Sequence, residues 1–276
     1  MAPIPQPNPI KTLLEKHLIP NDPRGHLGYS QLGHPCKRKL WYDFHWAYSA
    51  VINPRVARIF RRGDIEEELV VSDLEEAGLT VSGSQLEVSD STGHVRGHID
   101  GLVCGVPGYD DRLLLEVKTM NKERYNEYIK KGLKETNPGY YVQYNMYLGS
   151  LKLKKCLYIV VNKNNEERDY QIYDFDEQCY KDHRRVGFDI IAATEPPKKI
   201  GMKTWYVCKM CDAAPICHNG IPPRNNCRTC KHVSIEMQGE WHCRYDGADR
   251  ELSLVEQEDG CDHFERMASL NVEFFT

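Results

Sequence analysis

The chain has 276 residues, is 41% hydrophobic and carries 36 Lys+Arg against 40 Asp+Glu, a formal net charge of −4. This length and apolar content can bury a full core, with one main domain and an appendage as the expectation. The slightly acidic balance excludes a global positive field of the kind that announces nucleic-acid binding.

The opening MAPIPQPNPI is proline-rich and lacks the charged and then apolar segments of a signal peptide. No run approaches transmembrane length, so no membrane partner is expected. A cytoplasmic, reducing compartment follows, and there eleven cysteines favour metal ligation over disulfides. The charge is uneven. Lys37, Arg38, Lys39, Arg55, Arg58, Arg61 and Arg62 face Asp43 alone between Cys36 and Arg62, and Lys152, Lys154 and Lys155 form a second cluster. Either cluster is a local phosphate-binding face or ordinary solvated surface.

In chain order, a short helix is expected over 11–19 and a basic, aromatic helix after Pro35, where Leu40, Trp41, Phe44 and Tyr48 stand at core-forming spacing. A long helix should start after Asn53-Pro54 and stop near Gly78. Its apolar stripe passes through Val56, Phe60, Gly63, Val70, Leu74 and Ala77. Glu67 falls on that stripe whereas Glu66 and Glu68 fall off it, and an acid on a buried face needs a reason. Strands are expected at 79–88, 94–104, 112–119, 154–162 and 168–175, and helices at 121–131, 138–150 and 176–193. Cys104, Cys156 and Cys179 fall in these elements and read as buried thiols. The final LNVEFFT is apolar for a tail, either a short strand or a docking segment.

The segment Arg96–Thr119, RGHIDGLVCGVPGYDDRLLLEVKT, organises the rest. It reads as two strands joined by a turn-rich Gly105–Asp111 link. Strand alternation aims Glu116 and Lys118 one way and Val117 inward, and a hairpin would bring Asp100 beside them. Two carboxylates and an ammonium buried together cost several kcal/mol unless compensated. A divalent cation is the natural compensation, since hard oxygen ligands suit Mg²⁺ or Mn²⁺.

Four pieces follow in order: Gly63-xxx-Glu67, Gly97-His-Ile-Asp100, Glu116-Val-Lys118 and, on the 138–150 helix, Gln143-xxx-Tyr147. This set resembles the PD-(D/E)XK nucleases, specifically the RecB-type branch, over roughly residues 30–217. The family usually has histidine where Glu67 stands, and a glutamate there can still ligate a metal. The resemblance implies an α/β, restriction-endonuclease-like mixed central sheet flanked by helices. It also implies a divalent-metal-dependent DNA exonuclease acting on linear ends, single- or double-stranded, in phage or bacterial recombination and repair. A recombination or single-strand-binding protein would be its partner. Asp100, Glu116 and the Val117 carbonyl would hold the metal with Glu67 completing the shell; Lys118 would orient the attacking water; Gln143 and Tyr147 would contact DNA or brace the site.

The resemblance also accounts for cysteines. Cys36 upstream with Cys208, Cys211 and Cys217 is similar to the iron–sulfur staple of AddB-type and CRISPR adaptation nucleases, four thiolates for a [4Fe–4S] cluster. Beyond it, Cys227, Cys230, Cys243 and Cys261 have zinc-ribbon spacing, with His242 and His263 as substitutes. Another partition lets the two CxxC pairs share one zinc, with no cluster. The expected organisation is a flexible segment 1–25, a nuclease core with its staple over 26–219 and a cysteine-rich, zinc-ribbon-like metal-binding region over 220–276. No GxxxxGK[ST] motif is present, which points to a stand-alone nuclease. A non-catalytic DNA-binding subunit, a zinc-dependent interaction module, and endonuclease or RNA-directed activity are the rival readings.

Overall fold

The computed structural model describes residues 9–16, 24–49 and 53–270. Expectations placed on 1–8, 17–23 and the 271–276 tail lie outside the described residues. Helix α1 (Pro9–Lys16), strand β1 (Leu27–Gly28) and helix α2 (Lys37–Phe44) lead to the long helix α3 (Pro54–Glu76). Asn53 caps α3, its side chain accepting from the Arg55 N–H at 2.8 Å, and Pro54 occupies the first turn, where no N–H is missed. Gly78, with φ of +90°, ends it in the left-handed region that favours glycine.

The runs 79–88 and 94–104, expected as single strands, each divide in two: β2 (Thr80–Ser82) and β3 (Glu87–Ser89), then β4 (Val95–His98) and β5 (Gly101–Cys104). The halves divide because they serve different sheets. β4 pairs with β1 on one side and β3 on the other, while β2 and β5 join the main sheet. The break between β4 and β5 falls at Ile99-Asp100.

The main sheet has the order β2-β5-β6-β7-β8, with β6 (Leu113–Met120), β7 (Lys155–Asn162) and β8 (Arg168–Asp174). β6 and β7 run parallel, and the other neighbours are antiparallel. A parallel pair needs a crossover, supplied here by α4 (Lys122–Lys131), α5 (Leu133–Thr136) and α6 (Pro138–Leu151). α7 (Glu177–Ala192) follows, then α8 (Tyr206–Lys209) and α9 (Ala214–Asn219). Strands β9 (Val233–Ile235), β10 (Trp241–Cys243) and β11 (Arg250–Glu251) form a small antiparallel sheet, and α10 (Leu254–Asp259) comes after them.

β6 is covered on both faces, which explains its unbroken apolar start. Leu113, Leu115 and Val117 pack with Val70 and Leu74 of α3. Leu114 and Met120 belong to the larger core with Tyr144 and Leu148 of α6 and Tyr158 of β7. Burying each such side chain contributes about 1.5–3 kcal/mol. α3 and α6 therefore lie on opposite faces of the sheet.

Three expectations are corrected. The stripe on α3 is buried only at Val70 and Leu74: Phe60 is 58% exposed, because the first half of the helix precedes the turns that rest on the sheet. Glu66, expected to face away, is instead the fully buried acid of α3, with Arg62 Nη2 2.5 Å from its Oε1. Cys104 is exposed, whereas Cys156 is buried and Cys179 half-buried. The basic clusters are largely paired: Lys37 with Asp189, Lys39 with Asp43, Lys154 with Asp111 and Lys155 with Asp174. Leu40, Trp41 and Phe44 of α2 are core residues.

The cysteine-rich end is anchored by a cation that, among the described residues, has no carboxylate paired with it. Arg228 is 1% exposed. Its guanidinium stands 3.7 Å from the Trp46 ring centre and 4.4 Å from that of Trp241. It donates to Gln257 Oε1 at 2.8 Å, the Phe44 carbonyl at 2.9 Å and the Gly25 carbonyl at 2.8 Å. Aromatic faces and carbonyl dipoles thus replace hydration, and burial lowers its pKa to about 9. Among the described residues no helix is long and apolar enough to cross a membrane.

Below this anchor, His45 is fully buried, stacked on Trp41 at 3.7 Å between ring centres, with Nδ1 3.0 Å from the Trp41 carbonyl. Burial, helped by the Arg228 charge, pushes it down to about 3 from 6.5. A histidine held neutral in the fold binds its proton mainly when unfolded, so its contribution is present above about pH 6.5 and is lost as the pH falls toward 3. We predict that unfolding free energy, measured by urea titration, falls by about 2 kcal/mol between pH 6.5 and 5 from this group. His45→Phe should be less stable at neutral pH but show a shallower acid slope; an unchanged slope would refute the assignment.

Candidate active site

The break after β4 sets the site. Ending one strand at His98 and starting the next at Gly101 turns Asp100 toward β6, where Gly101 registers with Leu115 and Leu102 with Leu114. The Val117 N–H donates to Asp100 Oδ2 at 2.6 Å. Glu116 and Lys118 share the face opposite Val117. Lys118 Nζ lies 2.5 Å from Glu116 Oε1, 3.7 Å from Asp100 Oδ2 and 3.0 Å from the Val117 carbonyl. One ammonium thus touches three oxygen donors from three residues.

Asp100 is 8% exposed and Glu116 0%. Burial first, then the Asp100 charge, raises the Glu116 pKa above its ordinary value. Burial alone would lower that of Lys118, but Asp100 and Glu116 outweigh it and the net shift is upward. Lys118 therefore stays charged and serves as the countercharge in this structure. Among the described residues Glu116 Oε2 is buried without a hydrogen-bond donor, a position that calls for a further positive partner.

Glu67 lines the same cleft from α3, half-buried, with Gln85 Nε2 donating to its Oε1 at 2.8 Å. Burial and the Asp100 charge push it up to about 7. Among the described residues no group of three or more His, Cys, Asp or Glu side chains is gathered closely enough to hold a metal ion. Here two carboxylates and a backbone carbonyl converge, and Glu67 stands apart on Gln85. This oxygen-only donor set, with its orphaned carboxylate oxygen, fits a hard divalent cation.

Gln143 and Tyr147 differ in their roles. Gln143 lines the cleft, its Nε2 3.5 Å from the Tyr147 hydroxyl. Tyr147 is 2% exposed and donates to the His98 carbonyl at 2.7 Å, fixing the turn that carries Asp100. Gly97 makes this possible: a Cβ there would fall 2.5 Å from the Tyr147 hydroxyl oxygen. No packing reason attaches to Gly63, where a Cβ would meet nothing within 4 Å.

The cleft has a volume of about 740 Å³. Sequence reasoning missed several residues on it, among them Arg124 on α4, Tyr140 on α6 and Lys163 after β7. Tyr140 was legible in principle, one turn before Gln143; Lys163 was not, because only the parallel β6–β7 pairing brings it there.

Several of the cysteines lie near one another. Cys36 lies near Cys211 and Cys217, and Cys208 near Cys217, close enough to help burial raise the Cys211 and Cys217 thiols. Cys227, Cys230, Cys243 and Cys261 line one small cavity of about 20 Å³ together with His232 and His263. The residues lining it do not include Cys208 or Cys211, which speaks against one site shared by the two CxxC pairs. His242, expected as a substitute ligand, is instead turned to Asp249 at 2.6 Å and Glu240 at 3.4 Å. His232 takes the place beside the cavity.

No protein-family model matches the chain, and no curated protein matches its sequence. Among solved structures, an alkaline exonuclease, LHK-Exo, from Laribacter hongkongensis, is similar at 16% identity and a TM-score of 0.46. The likeness covers 61% of this chain and 87% of that one, with the same values for its complex with dAMP. A protein designated SSO0001 is similar at 20% identity and a TM-score of 0.46, over 77% of this chain and 95% of that one. Likenesses this distant leave the functional reading to rest on the site itself.

The Gly97–Tyr147 contact is testable. Gly97→Ala should cost about 1–3 kcal/mol by overpacking. Adding Tyr147→Phe, which removes the nearest atom, should recover part of that loss in thermal unfolding. Strict additivity of the two substitutions would show that they do not meet.

Proposed function

We propose that this protein is a divalent-metal-dependent deoxyribonuclease that hydrolyses phosphodiester bonds from the ends of linear DNA. The observation that carries the reading is the convergence of Asp100, Glu116 and the Val117 carbonyl on Lys118 Nζ at the floor of a cleft lined by Arg24, Arg55, Arg124 and Lys163. Asp100, Glu116 and the Val117 carbonyl would hold Mg²⁺ or Mn²⁺, with Glu67 joining if it leaves Gln85. The ion supplies Lewis acidity and neutralises charge developing on the phosphate.

The chain's own residues do the rest. Lys118, held charged, donates to the non-bridging phosphate oxygens as negative charge builds there and orients the attacking water. Gln143 positions the phosphodiester from the α6 side. Tyr147, buried and bonded to the His98 carbonyl, keeps the Asp100 turn from shifting, and so braces the site rather than contacting DNA. The resemblance of the motif set to RecB-type nucleases would place the enzyme in phage or bacterial recombination and repair.

Within the same reading, Cys36, Cys208, Cys211 and Cys217 would hold a [4Fe–4S] cluster that fixes the start of α2 to the segment around α8 and α9. Cys227, Cys230, Cys243 and Cys261 would hold zinc as a structural site. Four thiols around one cavity support the zinc assignment and proximity to Cys36 supports the cluster; since neither set is gathered closely enough to hold an ion as it stands, binding would draw the thiols together. Anaerobically purified protein should contain both metals by elemental analysis and show an iron–sulfur absorption band. Cys230→Ser should lower the zinc content and leave the iron; loss of neither metal would remove the assignment.

For the reaction itself, labelled linear duplex, single-stranded DNA and closed circular DNA separate the readings. Wild type with Mg²⁺ should degrade linear DNA and spare the circle. Lys118→Ala, Asp100→Asn and Glu116→Gln should each lose at least about a hundredfold in rate while still binding DNA. Degradation of the circle would make the enzyme an endonuclease, and no cleavage by folded, metal-replete protein would end the catalytic reading.

A further inference from the structure

The cleft carries more than a phosphate-binding set. Phe60, 58% exposed, and Ile59, 36% exposed, stand on the overhanging half of α3 and line the cleft with Arg55 and Glu67. Phe60 lies seven residues before Glu67, two helical turns, or roughly 10 Å along α3. From the opposite face of the sheet, α6 brings Tyr140, half-buried, whose ring centre is 5.7 Å from Lys118 Nζ. Two aromatic rings thus face one wet cavity that also contains the acidic site.

The cations of this cleft are distinctive. Lys37, Lys39, Arg58 and Arg62 elsewhere on the basic stretch are paired with carboxylates. Among the described residues, none of Arg55, Arg124 or Lys163 is ion-paired, although all three line the cleft. An exposed phenylalanine keeps apolar surface in water and the cations beside it lack a countercharge, and a ligand with flat apolar faces and a repeating negative charge matches both.

We propose that Phe60 and Tyr140 form a base-stacking clamp, so that the cleft takes unpaired DNA and a duplex must open at its end before it is cut. Arg55, Arg124 and Lys163 hold the phosphates of that strand. In a duplex, bases are stacked on each other and offer only edges; their faces become available only when the strand is single. Aromatic stacking with a cationic track is how single strands are bound without regard to sequence. The volume of about 740 Å³ is in the range of small-ligand sites, about 300–1,000 Å³, and so suits nucleotide-sized pieces rather than the full width of a duplex. Phe60 and Tyr140 would bind the bases, leaving the phosphate chemistry to Asp100, Glu116 and Lys118. The clamp rests on the nuclease reading of the same site, and its test separates the two.

Binding is measured by anisotropy in EDTA, where nothing is cut, with a labelled oligo-dT, the same strand carrying one abasic residue at each position in turn, and a blunt hairpin duplex. The single strand should bind at least about tenfold more tightly than the hairpin. Phe60→Ala and Tyr140→Ala should each weaken it by about 5- to 100-fold, with Phe60→Trp and Tyr140→Phe retaining most of the affinity. One abasic position should cost wild type as much as Phe60→Ala does, and cost that variant nothing further. Single-strand binding within about twofold of wild type in both alanine variants, or insensitivity to every abasic position, would overturn the clamp. A separate Mg²⁺ cleavage assay tests the other reading: stacking losses without cleavage of any substrate would sink the nuclease and leave the clamp standing.

Discussion

Everything in this structure is arranged around one partly buried ammonium. Lys118 Nζ meets Glu116, Asp100 and the Val117 carbonyl on a strand covered by core on both faces. Two carboxylates in such a place repel each other and lose hydration, a cost of several kcal/mol that one lysine offsets only in part. The upward shift at Glu116 and its unpartnered Oε2 are the remainder of that imbalance. A site with excess negative charge, oxygen donors only and an opening to solvent has the chemistry of a cation-binding centre.

The fold holds that imbalance in place by rigid means. The divided strand turns Asp100 inward, the Tyr147 hydroxyl ties down the His98 carbonyl, and Gly97 leaves the room for it to do so. The helices that carry Glu67 and Gln143 rest on opposite faces of the sheet, so the cleft walls belong to two separate packing layers. At the far end, Arg228 between Trp46 and Trp241 fastens the cysteine-rich region to the same core.

Local rules carried much of this in the sequence. Alternation aimed Glu116 and Lys118 together, Asn53-Pro54 marked the start of α3, and the apolar run before Glu116 marked a central strand. Non-local packing was out of reach. The division of 79–88 and 94–104 is made by pairing partners in two sheets, and no periodicity within either run reveals it. Glu66 and Glu67 are adjacent on one helix, and their different burial depends on where α3 leaves the sheet. Phe60 looked like core for the same reason. Arg228 sits between cysteines in a segment that reads as ligand spacing, and its aromatic cage comes from Trp46, far upstream, and Trp241.

The most direct test is calorimetric titration of the protein with Mn²⁺ in the absence of DNA, for wild type, Asp100→Asn, Glu116→Gln and Lys118→Met. Because the ammonium and the metal compete for the same three oxygens, the account predicts that binding is lost in the two carboxyl variants and retained or tightened in Lys118→Met. Wild-type binding that survives unchanged in Asp100→Asn and Glu116→Gln, or its disappearance in Lys118→Met alone, would contradict the account.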